Sequence, residues 1–159
     1  MRKRTHTCGD LRAADAGQEV VLAGWAYRRR DHGTIIFIDL RDRYGVTQVV
    51  ITPETPEAHE AAQRVRSEFV LAVRGVVRRR PVGMENPALA TGAVEVAVSE
   101  LIVENPAKPL PFEIRDDLEA NEFARLKYRY LDLRRPRLQS NIILRHRAVK
   151  LMRDYLDAH

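Results

Sequence analysis

Residues 35–41, Ile-Ile-Phe-Ile-Asp-Leu-Arg, carry the most suggestive chemistry in the chain. In an extended strand, alternate side chains take opposite faces. Ile36, Ile38 and Leu40 then share one face, and Phe37, Asp39 and Arg41 share the other. An aromatic ring among charges on the wetter face suits base stacking, which contributes about 1–3 kcal/mol per base. The competing role for Phe37 is packing beneath a loop or a second domain. Its surroundings favour nucleic acid. Arg28, Arg29 and Arg30 end the preceding strand, and Arg78, Arg79 and Arg80 end a later one. Gln48 falls out of phase with Val49 and Ile51, and Glu95 with Val94 and Val96, so both join the polar face. Arginine neutralises phosphate and donates to bases, while Gln and Glu form selective hydrogen bonds to base edges.

Other chemistry is thin. His6, His32, His59, His146 and His159 show no metal-ligand spacing, and none makes an evident nucleophile pair with Cys8. No G-x-x-x-x-G-K or G-x-G-x-x-G phosphate loop is present. On its chemistry alone the chain is a binding module.

The elements that must position these residues follow from pattern. Branched and aromatic residues predict strands over 17–30, 34–42, 46–52, 69–80 and 93–104. Turns fall at Asp31-His32-Gly33 and Tyr44-Gly45, and a loop rich in Pro, Gly and Asn spans 81–92. Residues 56–68 have helical spacing, with Ala58, Ala61, Ala62 and Val65 on one side. The order β-β-β-α-β-β is that of a mainly β, five-stranded Greek-key OB-fold barrel with one helix between strands three and four. Pro106, Pro109 and Pro111 mark a stiff linker. Basic helical stretches are expected over 120–135 and from 138 to the end, the second with Ile142, Ile143, Val149, Met152 and Leu156 on one face. That helix runs to His159 without a stop signal, which suggests a chain cut from something longer.

Length and composition bound the rest. The 159 residues are 45% hydrophobic and 31% charged, the balance of a globular chain. No apolar run approaches the ~18 residues of a membrane helix. The basic N-terminus has no apolar stretch after it, so no secretory signal is expected. A single cysteine excludes an internal disulfide framework and suits a cytoplasmic location. Residues 1–104 carry 15 basic and 14 acidic side chains, and residues 105–159 carry 12 and 8. The net charge of +5 therefore does not locate a nucleic-acid site in the first hundred residues, and local clustering must.

Several long motifs resemble a known family. They are Gly24-Trp25, R-R-R-D-H-G at 28–33, I-F-I-D-L-R-D-R-Y-G at 36–45, Gln48-Val49, A-T-G-A-V-E-V at 90–96 and R-L-K-Y-R-Y-L-D-L-R-R at 125–135. Together they resemble the anticodon-binding region of bacterial aspartyl-tRNA synthetases, and the last resembles the segment that leads into the catalytic domain. The resemblance implies an anticodon-binding OB-fold over 1–104, a linker over 105–118 and the start of a class II catalytic domain, with its motif 1 helix, over 119–159. It implies that Phe37 stacks on the central anticodon base, and that Arg30 and Gln48 read that base and its neighbour. Glu95 matches the carboxylate that recognises the first anticodon base, a guanine. Arg28, Arg78 and Arg80 match residues near the anticodon backbone and bases.

The implied partner is the anticodon stem-loop of tRNA-Asp, with a homodimer for the longer parent. The parent would use ATP and Mg²⁺ to activate aspartate and then charge the tRNA. Motifs 2 and 3 are missing here, so the chain alone is expected to bind no such cofactor, hold no catalytic residue and lack that activity. A free-standing OB-fold protein for single strands is the alternative, and the run at 125–135 argues against it. A sibling synthetase for Lys or Asn is disfavoured by the R-R-R-D-x-G run. Loop residues His32 and Gly83 occupy positions where tolerance of tRNA-Asn could arise.

Overall fold

Branched aliphatic residues on alternate positions give each strand one face to bury, and five such faces close on one another. The computed structural model describes residues 3–159. The chain divides into two compact units, one ending at Lys108 and one spanning Pro109–His159. The first holds β1 (Glu19–His32), β2 (Ile35–Arg41), β3 (Val46–Ile51), α1 (Pro56–Gln63), β4 (Val70–Arg79) and β5 (Val94–Asn105). β1, β2 and β3 form an antiparallel meander. β5 joins β3 in parallel, and β4 pairs antiparallel with both β5 and β1. The ring β1-β2-β3-β5-β4 is closed and leaves no free sheet edge. This is the expected five-stranded OB-fold, with α1 between β3 and β4.

The barrel interior is filled by one phase of each strand, including Leu22, Ile38, Leu40, Val49, Val73 and Val96, all 1% exposed or less. Ala58 and Ala62 of α1, with Val65 beyond it, pack into the same core. Element boundaries differ from expectation, chiefly at the end of β1 and the end of α1. β1 runs on to His32, because Asp31 and His32 pair with Ile36 and Ile35. The hairpin turn then falls at Gly33, whose φ of +61° suits glycine. The helix expected over 56–68 stops at Gln63, and Glu68 takes a left-handed φ of +65°.

In the second unit, the helix expected over 120–135 is two short helices, α2 (Glu122–Lys127) and α3 (Arg129–Asp132). Tyr128 breaks them with φ −109° and ψ 47°, outside the helical range. Asn121 caps α2 by accepting from the Phe123 and Ala124 amides. The break folds the chain around Asp132, which is fully buried. Arg125 Nε donates to Asp132 Oδ1 at 3.0 Å, Arg129 Nη1 donates to Oδ2 at 2.6 Å, and Arg135 Nη1 lies 3.6 Å from Oδ1. Pro136 then opens α4 (Pro136–Ala158), at a position where its missing N–H costs nothing. Ile142, Val149, Met152 and Leu156 on α4 are exposed. No described helix is long and apolar enough to cross a membrane.

Candidate nucleic-acid interface

One irregularity decides which arginines reach the outer face of the barrel. Up to Ala26, even-numbered residues of β1 point inward, as buried Val20, Leu22 and Ala26 show. The β1–β2 register then shifts between Ala26 and Arg28, with Tyr27 as the extra residue of a bulge. Beyond it Arg28 stands opposite Asp39, and Arg30 opposite Phe37. Both arginines therefore share the outer phase of β2. Arg29 takes the other phase, opposite Ile38, with its Nη2 2.9 Å from Asp31 Oδ2.

On that face all five strands supply one continuous hydrogen-bonded chain. Arg30 Nη2 donates to Asp39 Oδ1 at 2.7 Å and to Gln48 Oε1 at 3.1 Å. Gln48 Nε2 donates to Glu95 Oε2 at 2.8 Å, and Arg78 Nε donates to Glu95 Oε1 at 2.8 Å. Gln48 and Glu95 lie out of phase with the core, as expected, but they are buried rather than wet, at 7% and 4% exposed. Each is satisfied by its neighbours, which is what permits polar burial there. Phe37 is half-buried at the open end of the chain, flanked by Arg30 on β1 and Val50 on β3.

Arg80 lies deeper than the other cations of this face. Its side chain donates through Nε to the Val94 carbonyl at 3.0 Å, while Nη2 is buried without a hydrogen-bond partner. Burial pulls its pKa below the ordinary arginine value; Glu95 and Asp39 oppose that shift and Arg30 adds to it. Arg28 is exposed beside the Tyr27 ring, 5.3 Å from its centroid. The structure thus brings Phe37, Arg30, Gln48, Glu95, Arg28, Arg78 and Arg80 to one side of the barrel, with Asp39 joined to them. Four arginines face two carboxylates, an excess that suits a phosphate backbone. A stacking ring beside fixed amide and carboxylate edges can select bases by their hydrogen-bonding groups.

Sequence reasoning gave no role to three neighbours, Tyr27, Arg41 and Glu68. Arg41 Nη2 donates to Glu68 Oε1 at 2.6 Å, and its guanidinium lies 4.5 Å from the Tyr27 ring centroid. Glu68 depends on a positive φ, which its sequence context does not announce.

Residues 20–104 match the family model described as OB-fold nucleic acid binding domain. The chain belongs to that family. Residues 121–159 match a second model, tRNA synthetases class II (D, K and N). An aspartate–tRNA(Asp/Asn) ligase of Syntrophotalea carbinolica is 56% identical over 98% of this chain and 26% of its own length. The corresponding ligase of Oleidesulfovibrio alaskensis is 59% identical over 97% and 26%. The chain thus spans about a quarter of the length of these curated relatives. Among solved structures, asparaginyl-tRNA synthetase from Pyrococcus horikoshii superposes with a TM-score of 0.78 at 27% identity, covering 95% of this chain and 34% of that one.

Proposed function

We propose that this barrel face reads the anticodon of tRNA-Asp, as the recognition module of an aspartate–tRNA ligase. The observation that carries the reading is the chain Arg30–Gln48–Glu95–Arg78 ending beside Phe37. It joins backbone neutralisation, base-edge hydrogen bonding and stacking on one surface of a nucleic-acid-binding fold. The high identity to aspartate–tRNA(Asp/Asn) ligases supports the choice of tRNA. Phe37 stacks on the central base, Arg30 and Gln48 read its edge and its neighbour, and Glu95 accepts from the first base, a guanine. Arg28, Arg78 and Arg80 hold the backbone and adjoining base groups.

The protein as a whole would activate aspartate with ATP and transfer it to tRNA in the cytoplasm, as a homodimer. The exposed apolar residues of α4 are consistent with further packing there. ATP and Mg²⁺ belong to the remainder of the catalytic domain. The one buried carboxylate of the second unit, Asp132, is enclosed by Arg125, Arg129 and Arg135, a setting that does not fit a divalent cation. On this reading the domains are an anticodon-binding barrel over 1–104, a linker over 105–118 and the start of the catalytic domain over 119–159.

Titration with anticodon stem-loops carrying GUC, GUU or UUU tests the reading. GUC is expected to bind more tightly than UUU by about 1–3 kcal/mol per unmatched base. Equal GUC and GUU binding would extend the substrate to tRNA-Asn. Equal affinity for all three would favour a sequence-indifferent single-strand binder.

A further inference from the structure

Glu68 joins two features that no other described residue of the barrel combines. It is the one described non-glycine residue with positive φ, a left-handed conformation unfavourable to any side chain with a β-carbon. It is also a carboxylate only 4% exposed. Glycine would suit such a backbone at less cost, so the turn alone does not account for a glutamate. What its side chain holds does. Its carboxylate accepts from Arg41 at 2.6 Å, and Arg41 lies over Tyr27, the bulge residue of β1. The Arg28 guanidinium lies 5.3 Å from the centroid of the same ring. The backbone is tied at this point too. The Glu68 amide donates to the Ala26 carbonyl at 2.7 Å, and the Ala26 amide to the Phe69 carbonyl at 2.9 Å.

We propose that Glu68 and Arg41 are positioning residues for RNA recognition: they clamp Tyr27 in the bulge and so set the phase in which Arg28 and Arg30 stand beside Phe37. The proposal rests on the anticodon-reading role of that face. With side chains 5% and 14% exposed, Glu68 and Arg41 act without touching RNA. Without the bulge, strict alternation would turn Arg28 and Arg30 to the core phase and bring Arg29 outward. Arg30 would then leave Asp39 and Gln48, and the chain to Glu95 would lose its end.

The test uses Glu68→Gly, Glu68→Gln and Arg41→Lys in the whole chain, against the wild type. Binding is measured to the GUC stem-loop and to the same loop with its middle base changed. Cross-strand NMR contacts of Arg28 with Asp39 and of Arg30 with Phe37 are recorded alongside. Glu68→Gly suits the backbone and removes the whole side chain, its carboxylate included. A purely structural Glu68 would leave selectivity and contacts intact in that variant. A positioning Glu68 gives a folded variant whose preference for GUC falls about tenfold, the size of one lost charged hydrogen bond, with the two contacts weakened. Glu68→Gln, which keeps an acceptor for Arg41, is expected to retain part of the preference. Should Glu68→Gly not fold, Glu68→Gln and Arg41→Lys carry the same comparison. Wild-type chain without any GUC preference would sink the reading of the face itself. The contacts would still judge the clamp: lost in a folded variant they support it, and intact in all folded variants they overturn it.

Discussion

Replacing Phe37 by alanine separates stacking from packing. The ring is half-buried on the outer face, while Ile36, Ile38 and Leu40 fill the core phase at 3%, 0% and 0% exposed. The substitution therefore opens no cavity inside the barrel. It does remove the pairing with Val50, which is 2% exposed, so the cost is that of a cross-strand pair, about 1 kcal/mol. A core phenylalanine would cost roughly 3–5 kcal/mol. For a unit of this size, 1 kcal/mol lowers the melting temperature by about 4–8 °C. Trp25, the single tryptophan, lies on β1 and reports barrel melting by fluorescence. Binding to the GUC stem-loop should weaken by about 1–3 kcal/mol. The slope of affinity against salt should hold, because no phosphate contact is removed. A fall of roughly 12 °C or more with unchanged affinity would make Phe37 a packing residue and refute its place in recognition.

Glu95→Gln keeps the side chain's shape but removes the charge that Arg78 and Gln48 engage. The preference for guanine over uridine at the first anticodon position should fall by about 1–3 kcal/mol in paired titrations, with little change for loops lacking that guanine. Asp132→Asn leaves three guanidiniums around a neutral group. Arg125 and Arg129 keep side-chain exposures of 29% and 49%, so the cost should be about 2–3 kcal/mol, below that of a fully enclosed pair. It should appear in the helical circular dichroism melt and leave Trp25 fluorescence unmoved. The same carboxylate fixes a pH dependence. Burial works to raise the Asp132 pKa, but the hydrogen bond and charge of Arg125, joined by Arg129 and Arg135, outweigh it and hold the pKa below 3.8. Its stabilising effect is thus complete above the unfolded value near 3.8 and is lost as pH falls through the lower folded value. Helix melting followed from pH 6 to pH 2 should show this acid loss, and Asp132→Asn should flatten it.

Strand phase carried most of the outer-face cluster into view from sequence, because period-two alternation places side chains without knowledge of distant partners. Phe37, Gln48 and Glu95 were legible in this way. Their burial was not. A polar side chain can leave water only when its partners are fixed, and Gln48 meets Glu95 across 47 residues of chain. The same limit hid the Asp132 cluster. The run R-L-K-Y-R-Y-L-D-L-R-R looked like a continuous basic helix, yet the break at Tyr128 brings Arg125 and Asp132 together. The bulge shows the limit most clearly. Alternation carried unbroken from Val20 would send Arg28 and Arg30 into the core and expose Arg29, the reverse of what the barrel does. The extra residue that corrects the phase is Tyr27, and its neighbours Arg41 and Glu68 arrive from two other segments of the chain. A local pattern can say that an arginine triplet ends a strand. Which of the three stands on the outer face is decided by the bulge, which the local pattern does not show.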